Sequence, residues 1–132
     1  GPERWTALRR HALATGINDS AHGWVLENMR PQDKRGQAWM DRQIDKINRG
    51  LDALEGEADA LAEGISIGHI AAGCALGYLD LRFEHIQWRA PRPKLAAWFA
   101  AFLERPCMAG SQPQDPKKPF QEGDFRYILK QD

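Results

Sequence analysis

Apolar residues recur at intervals of three and four along most of this chain, the spacing of helices that bury one face. The clearest run is Met40, Ile44, Ile47, Leu51 and Leu54. It predicts an amphipathic helix from about Asp33 to Gly56. Upstream, residues 3–28 also read as helix, with Trp5, Leu8 and Ala12 as its apolar stripe. Gly16 and Gly23 predict a bend or break in it, and Pro31 a stop. Between Gly56 and Gly64 the chain is small and acidic, with room for one helical turn around Leu61. Pro93 opens another helix that turns Leu95, Trp98, Phe99 and Phe102 inward, and Pro106 ends it. No strand pattern competes with these elements, so the expected class is all-α, with four or five main helices.

The middle of the chain breaks the amphipathic rule. In Ser66–Asp80, "SIGHIAAGCALGYLD", only His69 is strongly polar between Ile67 and Leu79. The run is shorter than the roughly 18 apolar residues of a membrane span. A helix that is apolar on every side belongs at the centre of a core. Gly73 and Gly77 stand four apart, so they share a face and predict close approach of a neighbouring helix. That packing must offset about 1 kcal/mol of helix propensity per glycine. Ser66 is placed to cap this helix through its hydroxyl, accepting from the backbone N–H of Gly68 or His69. His69 stands where a full capping box would carry Glu or Gln. A neutral imidazole can accept a hydrogen bond there. A protonated one cannot, and it would put positive charge at the positive end of the helix dipole.

Composition narrows the function classes. Eighteen basic residues balance eighteen acidic ones in the 132, with the signs interspersed, so no nucleic-acid footprint is expected. The adjacent pairs Arg9-Arg10 and Lys117-Lys118 read as solvated surface. Two cysteines, Cys74 and Cys107, form neither a disulfide framework nor a CxxC site. Cys74 reads as a small core residue, and a reducing cytoplasm is the simplest setting. No membrane segment or signal peptide is expected. Gly1-Pro2 looks like the scar left when a protease removes a tag; if it is one, a natural chain extending upstream is expected. At the other end, "SQPQDPKKP" reads as linker. The following "FRYILK" carries apolar residues that should dock on something. The expected division is a helical domain over 3–113 and a proline-rich linker with an apolar tail over 114–132.

Catalytic machinery is not visible in the residues. His11, His22, His69 and His85 form no pair at i and i+4 and no HExxH, so no metal site is expected. Asp19 and Glu27 read as helix caps or solvated charge rather than a carboxylate pair. Ser20 has no adjacent base, and GxSxG, GxGxxG and the P-loop are all missing. His69 reads as a capping or buried structural histidine rather than a catalytic base.

One ordered set of landmarks is more specific. It begins with Arg4-Trp5, Leu8-Arg9, Ala12-Leu13-Ala14, Gly16-Ile17, Asp19, Glu27 and Arg30-Pro31. It continues with Trp39, Arg42-Gln43, Lys46-Ile47, "LDALE" at 51–55 and "CALGYLD" at 74–80. It closes with Phe83, Trp88-Arg89, Pro93, Leu95, Trp98 and Arg105-Pro106. Over about Arg4 to Pro113 the chain resembles the all-helical C-terminal domain of bacterial glutathione S-transferases. The resemblance implies a helical bundle around a central buried helix. Where that family's central helix usually begins Ser or Thr, two residues, then Asp, this chain has Ser66 and departs at His69.

The resemblance also sets functional expectations. In that family an N-terminal thioredoxin-like domain holds glutathione and supplies the activating residue, and no such βαβ region is present here. Glutathione is therefore expected as a cofactor only if a thioredoxin-like domain is present, and none is expected to be bound by this chain alone. The helical domain would supply the wall of the electrophile pocket, with Leu8, His11, Ala12 and Thr15 as candidates. The competing reading is that they pack between helices or across a dimer, which is preferred for Leu8 and Ala12. Expected partners are a second copy in a homodimer, and a thioredoxin-like domain or another protein on the uncovered helical face. The chain is expected to be one domain of a transferase, inactive alone. The alternatives are a stand-alone interaction or ligand-binding module, or a domain of a larger, unrelated protein.

Overall fold

The computed structural model describes residues 1–83 and 85–112. Within them the chain forms helices α1 (Pro2–Asn28), α2 (Gln37–Gly56), α3 (Ala58–Leu61), α4 (Ile67–Arg82), α5 (Pro93–Leu103) and α6 (Pro106–Ala109), with a 3₁₀ turn at Gln32–Lys34. The expected linker and tail over 114–132 lie outside the described residues.

α1 packs along both α4 and α2. Of the bend or break expected at Gly16 and Gly23, the break does not occur, since the helix is continuous through both. Its core stripe is not Trp5–Leu8–Ala12. Trp5 is 69% exposed and Leu8 37%, whereas Arg10, Ala14, Ile17 and Ala21 are buried. On α2 the expected stripe is the core face: Met40, Ile47, Leu51 and Leu54 are buried, with Ile44 partly so. Gly50 of α2 lets Ile17 of α1 pack against its backbone, where a Cβ would lie 2.5 Å from Cγ1 of Ile17.

α4 crosses α1 at Gly68, where a Cβ would lie 2.7 Å from Cβ of Arg10 and 2.9 Å from the carbonyl oxygen of Ala7. Further along, Gly73 makes room for Phe102 and Met108, whose nearest atoms would be 2.7 and 3.0 Å from a Cβ there. Gly77 does not serve the same purpose. A Cβ there meets nothing within 4 Å. Nor is α4 covered all round. Ile67, Ile70 and Cys74 are exposed, which corrects the expectation of a core cysteine. They lie on one flank at spacings of three and four.

Long-range polar contacts fix the ends of the helices. The Glu55 carboxylate, at the end of α2, accepts from Lys94 N (3.2 Å) and Leu95 N (2.6 Å), capping α5 from another helix. Glu27 at the end of α1 accepts from Gly36 N at 2.7 Å, just before α2. Buried Arg92 reaches Asp52 at 2.7 Å and the Asn48 carbonyl at 3.3 Å. The pair Arg9-Arg10 is not simply solvated surface. Arg10 is buried, and both guanidiniums bind Glu57, at 2.6 and 2.8 Å. Burial pushes the Glu57 carboxyl up, but those hydrogen bonds outweigh it and hold it below the usual carboxylate value.

Candidate functional site

α1 and α4 lie side by side and run the same way, since Gly68 meets Ala7 and Arg10 while Phe83 meets Trp24. Along α1, residues 8, 11, 15, 18 and 22 step by three and four and so share one stripe. Along α4, Ile67, Ile70, Cys74, Gly77 and Leu81 do the same. Between the C-terminal halves of these stripes and the wall formed by α5 and α6 is a groove of about 440 Å³. Its floor is α4, through Gly73, Cys74, Gly77, Tyr78 and Leu81. Asn18 forms the α1 rim, and Phe99, Leu103 and Met108 form the far wall. The volume falls in the range of small-molecule sites, and the lining is mainly apolar with a few polar groups, as such sites require.

The polar groups are specific. Asn18 Oδ1 is shielded from solvent and has no hydrogen-bond partner. An unmet buried acceptor costs on the order of 1–3 kcal/mol, and a ligand N–H or O–H placed against it would recover that. The Tyr78 hydroxyl stands 3.5 Å from Nδ1 of His22, a long contact. Burial raises the Tyr78 phenol above its usual value, only partly offset by Arg82, so it stays a neutral donor at physiological pH. The Cys74 thiol is exposed at the floor. Asp80 also lines the groove; its carboxylate accepts from Trp88 Nε1 at 2.9 Å and makes two 2.6 Å bonds to Arg89, locking the chain after α4.

The sequence candidates fall around this site. Leu8, His11, Ala12 and Thr15 are all exposed on α1. Leu8, His11 and Thr15 continue the Asn18 stripe toward the N-terminus of α1. Ala12 borders a shallower concavity of about 480 Å³ between α1 and α2, with Gly16, Asp19, Lys46 and Arg49. Asn18 and Tyr78 were not singled out from the sequence, and Cys74 was read as a core residue rather than part of a site. The sequence carried no separate signal for them, since Gly77 marks the site only through the structure, where a Cβ there meets nothing within 4 Å.

At the head of α4, Ser66 Oγ accepts from Gly68 N at 3.2 Å and pairs with His69 Nδ1 at 2.8 Å. His69 is buried, and its Nε2 has no hydrogen-bond partner. Burial, then the charges of Arg10 and Arg105, hold the imidazole below its usual pKa, with the Glu63 carbonyl pulling weakly the other way. His69 therefore serves the helix start and does not open onto the groove. Among the described residues no group of three His, Cys, Asp or Glu could hold a metal ion. No helix there is long and apolar enough to cross a membrane.

A bundle of this kind, with a glycine-dotted central helix flanked by a long first helix, is a recognisable class of all-α domain. Residues 37–101 match the family described as glutathione S-transferase, C-terminal domain. The GST-like protein YibF of Escherichia coli K12 is 34% identical over 105 residues, covering 77% of this chain and 52% of that protein. A glutathione transferase family member from Pseudomonas fluorescens Pf-5, solved with bound S-(propanoic acid)-glutathione, superposes with a TM-score of 0.83 at 40% identity, covering 86% of this chain and 60% of that one. A glutathione S-transferase from Methylobacillus flagellatus KT, with glutathione bound, gives 0.77 at 34% identity over 82% of this chain and 55% of that one. The chain belongs to the glutathione S-transferase family and carries its C-terminal helical domain. It spans little more than half the length of these relatives.

Proposed function

We propose that this chain is the helical half of a glutathione S-transferase-like protein of the cytoplasm, and that the groove over α4, between Asn18 of α1 and the wall of α5 and α6, receives the apolar co-substrate. The carrying observation is the groove over Gly77, open and mainly apolar, with the unmet acceptor of Asn18 on its rim. Leu8, His11 and Thr15 would extend its α1 wall toward a thioredoxin-like domain, and Ala12 would face the dimer. Exposed Ile65, Ile67 and Ile70 make an apolar flank for that domain to cover. Two relatives hold glutathione or a glutathione conjugate, which supports glutathione as the second substrate.

On this reading the chain contributes shape and desolvation to catalysis. An apolar groove brings the electrophile out of water and fixes it near the thiol that the other domain would hold, which is catalysis by proximity. No side chain of the groove is assigned to activate glutathione. The test is turnover of 1-chloro-2,4-dinitrobenzene with glutathione by the pure chain. The expected rate is that of the uncatalysed reaction. Clear turnover by this chain alone would overturn the proposal.

A further inference from the structure

We infer that the groove over α4 selects co-substrates that carry a neutral carboxamide on an apolar arm, with Asn18 and Tyr78 as the residues that bind the amide. This rests on the function proposed above and names the chemical class that the groove takes.

The two polar groups stand together. Tyr78, on α4, reaches across to His22, which lies one turn beyond Asn18 on α1. Residues four apart on a helix are surface neighbours, with about 5–6 Å between their Cβ atoms. One edge of the groove therefore holds both hydrogen-bonding groups, and Phe99, Leu103 and Met108 form the apolar wall opposite. Their roles differ. Asn18 Oδ1 lacks a donor, which a ligand N–H supplies. That oxygen is shielded in the free chain, but the side chain is only half-buried, and turning its amide toward the groove breaks no hydrogen bond of the oxygen. Tyr78 keeps its proton because burial raises its phenol. Its 3.5 Å contact with His22 Nδ1 is too long to hold that proton firmly, so the hydroxyl is free to donate to a C=O. An acceptor beside a donor is the complement of a carboxamide, which offers an N–H and a C=O.

Charge narrows the class further. Asp80 has both carboxylate oxygens bound to Arg89, and among the described residues that line the groove there is no cation. A carboxylate head would thus enter without a counter-charge and meet the lone pairs of Asn18 Oδ1. An ester of the same shape brings the C=O without the N–H.

The test uses N-methyl-3-phenylpropanamide and methyl 3-phenylpropanoate, which differ only by N–H against O, together with 3-phenylpropanoate. Each is titrated into the 132-residue chain, and binding is read from the backbone amide signal of Gly77 on the groove floor. The amide should bind about tenfold tighter than the ester or the carboxylate, which corresponds to about 1.4 kcal/mol. In Asn18→Leu that preference should vanish while the ester binds as before. The variant should unfold no lower than the parent, since the oxygen it removes had no partner. Tyr78→Phe should weaken amide and ester alike. An ester or carboxylate that binds as tightly as the amide, or a preference that survives Asn18→Leu, overturns the inference and leaves the groove standing as the co-substrate site. If none of the three compounds moves the Gly77 signal, the proposed function falls and this inference falls with it.

Discussion

Two glycines of one helix, replaced in the same way, should move stability in opposite directions. At Gly77 an added methyl meets nothing within 4 Å. Gly77→Ala therefore gains helix propensity alone, about 0.5–1 kcal/mol. At Gly68 the methyl would sit 2.7 Å from Cβ of Arg10 and 2.9 Å from the Ala7 carbonyl oxygen. Neither atom is the free end of a flexible side chain, so relief requires α1 and α4 to move apart. Overpacking of that kind costs about 1–3 kcal/mol. Gly68 lies in the first turn of α4, so its propensity gain is small. A net loss of about 2 kcal/mol is expected. For a domain of this size 1 kcal/mol moves Tm by roughly 4 °C. Thermal unfolding followed by far-UV circular dichroism should then show Gly68→Ala about 8 °C below the parent and Gly77→Ala about 2–4 °C above it. Shifts of the same sign, or a neutral Gly68→Ala, would refute the account of how α1 and α4 are packed.

Further tests address the helix ends. Folding holds the His69 imidazole below its ordinary pKa of about 6.5, so the unfolded chain takes up the proton first. Stability contributed by the neutral ring is complete above about pH 6.5 and declines as pH falls below it. In His69→Gln, which keeps a capping side chain without a proton to gain, urea midpoints should lose that decline between pH 6.5 and 5. The Glu57 carboxyl, held below the usual 4.5, adds stability that is lost only at more acid pH, so Glu57→Gln should leave the His69 limb in place and weaken the one below pH 4.5. Glu55→Ala removes both hydrogen bonds to the start of α5 and should cost about 1–2 kcal/mol by urea denaturation, while Asp45→Ala, exposed on the same helix, should cost little.

The helices were legible because their signals are local. The Met40–Leu54 stripe and the Leu95–Phe102 face need only the helical period, and both are core faces here. α1 was harder because its two sides are similar in hydropathy. Trp5 and Leu8 looked like core but face outward, and the true stripe starts at a charged residue, Arg10, whose burial depends on Glu57 forty-seven residues later. Capping by Glu27 and Glu55 was invisible for the same reason, since each caps a helix other than its own. Ser66 was legible because its partner, Gly68, is two residues away. Gly73 and Gly77 look identical in sequence. Only the placement of Phe102 and Met108 makes one a packing site and leaves the other open. The groove, and with it Asn18, Cys74 and Tyr78, is a product of that difference.

The central claim is that the groove over α4, between Asn18 and the α5–α6 wall, takes the apolar half of a glutathione conjugate while the peptide half needs another domain. The direct measurement is an NMR titration of the 132-residue chain with S-hexylglutathione and, separately, with glutathione. The account predicts that the hexyl conjugate shifts the signals of Asn18, Cys74, Gly77 and Tyr78, and that glutathione at the same concentration shifts none of them. Equal effects from glutathione alone, or shifts confined to the α1–α2 concavity around Lys46 and Arg49, would contradict it.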